Sequence, residues 1–497
     1  MSGRTLFSVL AFATAQFLAL ASGLLLQVVV ARNLMPADYG RFVIANTVLL
    51  TLTLGLVSAV PKALARLISV SECPMWYAWR KVLTYQLPVS GTVAVSLIFT
   101  SGLTSSLFSD HLLKLPLSLI ALELVLRAGL LEPAWCLLNG AHFHRTQASL
   151  MLLHSLLRVV CVSVFLLGGA SLSGCILACG AASFLSVAIV IPVITITSQN
   201  NTALAVTGGE AANATELLKW IRWAPLAEIL NYFIVASNLW LLKSVVRNST
   251  EIGVYSACFM LAQPVMPLGI AVSRGTFATF ASMMASDRVE DASGLLRVVL
   301  RCTFIASSIA VSASLVLGSS LVSLLFGSDY AQVGYLQGML ITGTLGITIV
   351  WILGDVLNAA GQLHARLTVM IGLAGFAIAI GIALISTLGT FGGASALLLT
   401  GALGAIVMCL VVATKIPNCV PVWTVFRSIA SVGISCFTCA GLLGTNHFVG
   451  ILFGTSVVVA VNLLCLLILR EWSVRELRFA ASAAWNQLQL MIQQLRT

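Results

Sequence analysis

Apolar residues in this chain neither alternate nor form narrow stripes. They run together in blocks of about 20, separated by short polar punctuation. The hydrocarbon core of a bilayer is about 30 Å thick, a distance that a helix of about 20 residues crosses. Fourteen blocks meet that length, at approximately 6–31, 42–60, 82–108, 115–138, 148–168, 172–195, 219–242, 252–284, 299–326, 332–358, 364–386, 390–413, 427–444 and 447–469. The alternating segments of about ten residues that build a membrane β-barrel are missing from the pattern. It predicts an all-α polytopic membrane protein with about 14 transmembrane helices. The eighth block contains Pro264 and Pro267 and is expected to kink or break. The first exceeds the apolar region of about 7–15 residues in a signal peptide, so it reads as a retained helix.

Composition sharpens the solvent assignment. Only 8% of residues are charged, 59% are hydrophobic and the mean hydropathy is +1.04, whereas soluble domains carry roughly 25% charge. The net charge of +10 is a topology signal and not a nucleic-acid footprint, since Lys and Arg collect on cytoplasmic segments. With the N-terminus inside, 18 Lys and Arg fall on inner segments and 5 on outer ones. Both termini are therefore expected in the cytoplasm. Most of the 12 Cys lie within apolar blocks and read as small helix-packing residues. No metal site is expected, since Cys175 and Cys179 have no His or carboxylate nearby to complete one.

An internal repeat organises the blocks. Asp38-Tyr-Gly40-Arg-Phe42 aligns with Glu251-Ile-Gly253-Val-Tyr255, 213 residues later. Leu107-Phe108-Ser-Asp110 aligns with Leu325-Phe326-Gly-Ser-Asp329, and Leu138-Asn139 through His144-Arg145 with Leu357-Asn358 through Arg366. Six blocks separate the copies, so the repeats share an orientation, as in transporters whose two lobes rock about a central site. The expected organisation is a six-helix lobe at 1–195, a polar cytoplasmic linker at 196–218, a second six-helix lobe at 219–413, an extra helix pair at 414–469 and a tail at 470–497. In the tail, Leu477, Ala481, Trp485, Leu488, Ile492 and Leu495 recur at helical spacing. This gives an amphipathic helix, either in the membrane interface or on the protein's own loops.

The segments Ala31-Arg-Asn-Leu-Met-Pro-Ala-Asp-Tyr-Gly-Arg-Phe, Glu251-Ile-Gly-Val-Tyr-Ser-Ala, Leu325-Phe-Gly-Ser-Asp-Tyr and Leu357-Asn-Ala-Ala-Gly-Gln resemble the polysaccharide flippases of the multidrug/oligosaccharidyl-lipid/polysaccharide exporter superfamily. The similarity extends over about 1–415, and the last two blocks match the extra pair of 14-helix members. The resemblance implies translocation of an undecaprenyl-diphosphate-linked oligosaccharide from cytoplasm to periplasm, with membrane lipids and a polysaccharide polymerase as partners. It departs from the family at Asn238, where members often carry an Asp. An Asn cannot titrate, so proton coupling does not transfer to this position.

Ionisable groups at membrane depth cost at least about 2.5–3.5 kcal/mol on insertion scales and are usually functional or paired. Arg127, Arg158 and Arg274 lie within blocks, and a guanidinium grips phosphate oxygens bidentately. They are candidates for the substrate diphosphate, with Lys62 and Arg66 at the inner end of the second block. Against that role, Glu123 one turn before Arg127 offers a simple ion pair, the other arginines could snorkel, and Lys62 and Arg66 also fit plain positive-inside residues. Asp355, Glu228 and Glu123 are candidates for cation coupling, or counter-ions for arginines. Phosphate-binding loops, zinc triads and nucleophile elbows are missing, so no cofactor and no catalysis are expected. The alternatives are a cation-coupled drug antiporter of the same superfamily and, more distantly, a membrane glycan polymerase or ligase. The short outer loops speak against the latter.

Overall fold

The computed structural model describes residues 3–57, 75–141, 143–200, 214–266, 286–442 and 448–469, with isolated positions between them. Lys62, Arg66, Arg274, most of the linker and nearly all of the tail lie outside the described residues. What is described is helix joined by short turns, with no strand. We number the helices α1 (Gly3–Asn33), α2 (Pro36–Val57), α3 (Met75–Leu107), α4 (114–140), α5 (His144–Leu167), α6 (Leu172–Asn200), α7 (Ala214–Val245), α8 (Ser249–Ala262), α9 (Val289–Phe326), α10 (Ser328–Ala359), α11 and α12 (together Leu363–Ala413), α13 (Val422–Thr438) and α14 (Phe448–Ile468). Counting α11 and α12 as one, nine of the described helices are long and apolar enough to cross a membrane.

Local sequence explains the boundaries. Pro36 opens α2, a position where its missing N–H is no loss. The side chain of Asn248 caps α8 by accepting from the Thr250 amide. Gly389, at φ 56° and ψ −128°, breaks the long apolar run into α11 and α12, matching the gap between the two expected spans. Each of α3 and α4 contains a π-helical turn, Val82–Gln86 and Arg127–Leu131. Gln86 is buried and donates through Nε2 to the carbonyls of Leu56 and Ala128, each at 3.1 Å. It thereby ties α3 to α2 and to the π turn of α4, and supplies partners to carbonyls in a bilayer that has none to offer.

The helices form two lobes of the same construction, with an extra pair outside them. α1 packs on α5 as α7 packs on α11; α3 packs on α4 as α9 packs on α10; α2 meets α4 as α8 meets α10. α13 and α14 pack on each other and on α9. Between the lobes, α2 lies against α8. These two helices carry equivalent repeat motifs, so the pseudo-two-fold axis passes between them. Gly40 marks the place: a Cβ there would sit 3.0 Å from the Cα of Gly253, its own repeat counterpart.

The extra pair is held by polar groups as well as by shape. Asn462 of α14 donates to Ser312 Oγ at 2.9 Å and accepts from Ser308 Oγ at 3.1 Å, both on α9. At the helix ends, buried Glu471 accepts from Arg301 Nε (2.8 Å), Arg427 Nη1 (2.9 Å) and Thr424 Oγ1 (2.6 Å). Burial pushes the Glu471 carboxyl up, but those three bonds outweigh it and hold its pKa below the usual carboxylate range.

Candidate functional site

Two of the three repeat motifs, in both copies, converge at one end of the bundle, where residues 31–41, 108–114, 243–253 and 324–330 meet. Here a chain of charges crosses the seam. Lys243, at the end of α7, places Nζ 2.7 Å from Asp110 Oδ2 of the first lobe and 2.9 Å from Ser249 Oγ. The same Asp110 oxygen accepts from Arg41 Nε at 2.9 Å, and Arg41 Nη1 reaches Asp38 Oδ1 at 2.7 Å. The interlobe pair is dry: the side chains of Lys243 and Asp110 are 3% and 6% exposed, against 37% for Asp38. The Asp38–Arg41 side borders an open cleft of about 500 Å³, also lined by His111, Lys114 and Ser118. Burial pushes the Asp110 carboxyl up, yet the bonds from Lys243 and Arg41 and their charges hold its pKa below the usual range.

Around this latch the backbones close together. Arg32 donates to the carbonyls of Leu324 and Leu325 at the end of α9, the latter at 2.7 Å. Tyr330 Oη donates to the Ala31 carbonyl at 3.0 Å. Tyr39, Phe326 and Tyr330 form an aromatic trio with ring centroids 5.9–6.1 Å apart. Any side chain on Gly253 would collide with the Pro36 carbonyl. Two of the three motif pairs that reveal the repeat in the sequence thus supply groups that join its two copies.

Asn238 belongs to the same end. Its Nδ2 donates to the Gly393 carbonyl just beyond the Gly389 break, and its Oδ1 accepts from Tyr255 Oη. Both ends of the amide are occupied within the second lobe, so the residue that departs from the family pattern pins α7, α8 and α12 together.

Deeper in the first lobe, the structure corrects the expected pairing of the arginines. Arg127 does not meet Glu123. Its Nε lies 3.3 Å from Glu132 Oε1, five residues ahead. The cause is the π turn that begins at Arg127: i→i+5 bonding brings i+5 over i, where an α-turn would set i+4. Glu123 instead pairs across helices with Arg158 of α5, at 3.6 Å from Nη2. Arg158 Nη2 also approaches Asn46 Oδ1 (3.5 Å) and Cys179 Sγ (3.6 Å). Both pairs close within the first lobe, so neither arginine is a free cation in this conformation. Arg127 retains one buried nitrogen, Nη1, without a hydrogen-bond partner among the described residues.

The other candidates separate. Asp355 is the counter-ion of buried Arg366, with Oδ1 3.1 Å from Nη1. Glu228 lies half-buried on α7 and is engaged by a neighbouring group. The structure brings none of these three carboxylates into a cluster; groups of three or more His, Cys, Asp or Glu able to hold a metal are absent among the described residues. What sequence reasoning missed is the latch. Arg41 and Lys243 are two of the five Lys and Arg counted on outer segments, and Asp110 entered only as a repeat marker. The one available signal was that all three sit beside repeat motifs.

The two pseudo-symmetric lobes define an all-α, multi-pass membrane protein. Structures of similar fold include one titled lipid II flippase MurJ, inward closed conformation, with a TM-score of 0.69 at 13% identity over 93% of this chain and 99% of that one. Another is a MOP superfamily transporter from Pyrococcus furiosus, with 0.62 at 17% over 82% and 95%. An inward-facing multidrug resistance MATE family transporter gives 0.59 at 18% over 82% and 98%. No curated protein matches the chain. The sequence model described as "Polysaccharide biosynthesis protein" matches residues 29–334, and the chain belongs to that family.

Proposed function

We propose that this protein carries undecaprenyl-diphosphate-linked oligosaccharide repeat units from the cytoplasmic to the periplasmic face of the bacterial inner membrane, by alternating access, for surface polysaccharide assembly. The observation that supports this reading best is the seam. Two repeated lobes, in a chain of a polysaccharide biosynthesis family, meet at one end through a dry ion pair and a glycine contact. Alternating access needs a contact of this kind, able to close one face and to part as a unit. The Lys and Arg count makes the latch end periplasmic, so this conformation is closed on the delivery side. Arg127 is the leading contact for the diphosphate, through its unpaired nitrogen, with Arg158 and Arg274 supporting it and Lys62 and Arg66 receiving cargo at the cytoplasmic end. Glu123, Glu228 and Asp355 are the carboxylates through which a cation would be exchanged. A periplasmic polymerase is the consumer of the delivered units.

Cells lacking the protein are expected to accumulate lipid-linked repeat units facing the cytoplasm and to lose a surface polysaccharide. Unchanged display together with altered resistance to cationic drugs would instead favour the antiporter.

A further inference from the structure

At the end opposite the latch, α3 begins with a short stretch that neither lobe's machinery uses. Met75, Ala78, Trp79 and Val82 face inward, in a core shared with α4 and α6. The other side presents Trp76, Tyr77 and Tyr85, which are 37%, 44% and 55% exposed. Two cations lie among these rings. The Arg80 guanidinium stands 5.8 Å from the Trp76 centroid. The Lys81 ammonium is held between two tyrosines, 5.2 Å from Tyr77 and 5.4 Å from Tyr85. Tyr85 lies in the π turn that Gln86 holds in place, so this geometry is built into the backbone.

Most other described cations at this end have polar partners. At the same end, Arg301 and Arg427 share Glu471, Arg366 has Asp355, Arg288 has Asp291 and Arg297 has the Asn418 carbonyl. Arg80 and Lys81 meet only aromatic faces among the described residues. A ring face attracts a cation but leaves its charge uncancelled. Just along the helix, Leu83 and Val89 are exposed apolar residues, so the patch sits where the lipid-facing surface begins. Tyr and Trp favour the headgroup level, with an apolar body and a polar tip. The counter-charge available at that depth is the phosphate of an acidic lipid.

We infer that Trp76, Tyr77, Arg80, Lys81 and Tyr85 form a binding site for the headgroup of an acidic phospholipid, separate from the cargo path. The two cations hold the phosphodiester, and the indole and phenol groups donate hydrogen bonds beside it. The site does not depend on which cargo the protein moves.

The test is lipid binding by the full chain in phosphatidylcholine nanodiscs, titrated with phosphatidylglycerol and read by native mass spectrometry and thermal stability. Wild type is expected to retain phosphatidylglycerol over phosphatidylcholine and to be stabilised by it. Arg80→Gln/Lys81→Gln is expected to weaken that binding on the order of tenfold. Arg288→Gln/Lys415→Gln, which removes the same charge elsewhere at this end, should leave it intact. Brominated phosphatidylglycerol should quench wild-type fluorescence more than brominated phosphatidylcholine does, and Trp76→Phe should abolish the difference. The inference is overturned if wild type shows no preference, if the Arg80/Lys81 variant keeps it, if the control variant loses as much, or if Trp76→Phe leaves the quenching difference unchanged.

Discussion

Lys243 is the residue on which closure at the latch turns. It brings the second lobe's charge to a carboxylate that Arg41 already holds, in a place water barely reaches. Removing one member of a buried pair typically costs about 3–5 kcal/mol, because the other charge stays buried. Lys243→Met should therefore lower thermal stability clearly, and Lys243→Met/Asp110→Asn should recover much of the loss. Additive losses would mean that the pair is not coupled. The pH dependence has a definite sign. A carboxyl whose folded pKa is depressed adds stability above its unfolded value of about 3.9, and this is lost as pH falls through the lower folded value. Wild type should hold this contribution from neutral pH down to about pH 4 and lose it only below, and Asp110→Asn should lack that acid-side loss. For Arg127, Arg127→Ala should abolish polysaccharide display at normal membrane abundance, and Arg127→Lys should restore only part, a point charge replacing a fork. Full display by Arg127→Ala would leave the residue only its pairing with Glu132. The sequence made Arg127 conspicuous because charge in an apolar block is conspicuous. It could not give the partner, because a π turn that brings Glu132 over Arg127 has no sequence signature and Glu123 is taken by Arg158 of another helix. Asp110 and Lys243 lie 133 positions apart, and nothing local in either residue announces the other.

Among the elements, α2 and α8 carry the contact between lobes and the strictest steric demand. The Pro36 carbonyl occupies the space a side chain on Gly253 would need, while Gly40 has a 3.0 Å approach to Gly253. Gly253→Ala must push the helices apart, and overpacking of this kind costs about 1–3 kcal/mol. The expected result is a less stable protein whose latch-end residues, substituted singly by Cys, react faster with a membrane-impermeant thiol reagent. Unchanged labelling would show that α2 and α8 separate without exposing the latch. The helices were the most legible part of the fold, since each span is a long apolar run that lipid leaves no choice but to coil. Their ends were less so. α3 starts at Met75 and not near 82, because the aromatic and basic residues before the apolar block continue the helix at the interface. α2 starts at Pro36 and not near 42, because its first turn is built from the repeat motif itself.

At the scale of the whole molecule, the described helices form two lobes of one construction with a pair of helices fastened alongside. That symmetry was readable from three short motif pairs, one of which, at Gly40 and Gly253, packs copy against copy. Glu471 and Asn462, which fasten the extra pair, were invisible as a pattern: each side chain draws its partners from helices over 40 residues away. The most direct test of the account is translocation by purified protein in proteoliposomes, using an undecaprenyl-diphosphate-linked oligosaccharide and a glycosidase added outside. The lobes would be tied by a thiol-specific cross-linker between Asp110→Cys and Lys243→Cys, with the double variant itself first shown to transport. The account predicts that wild type and the untreated variant expose inner-leaflet cargo to the enzyme, that cross-linking stops this, and that cleaving the linker restores it. Failure of wild type to move the lipid-linked glycan, or transport that continues with the lobes tied at the latch, would contradict it.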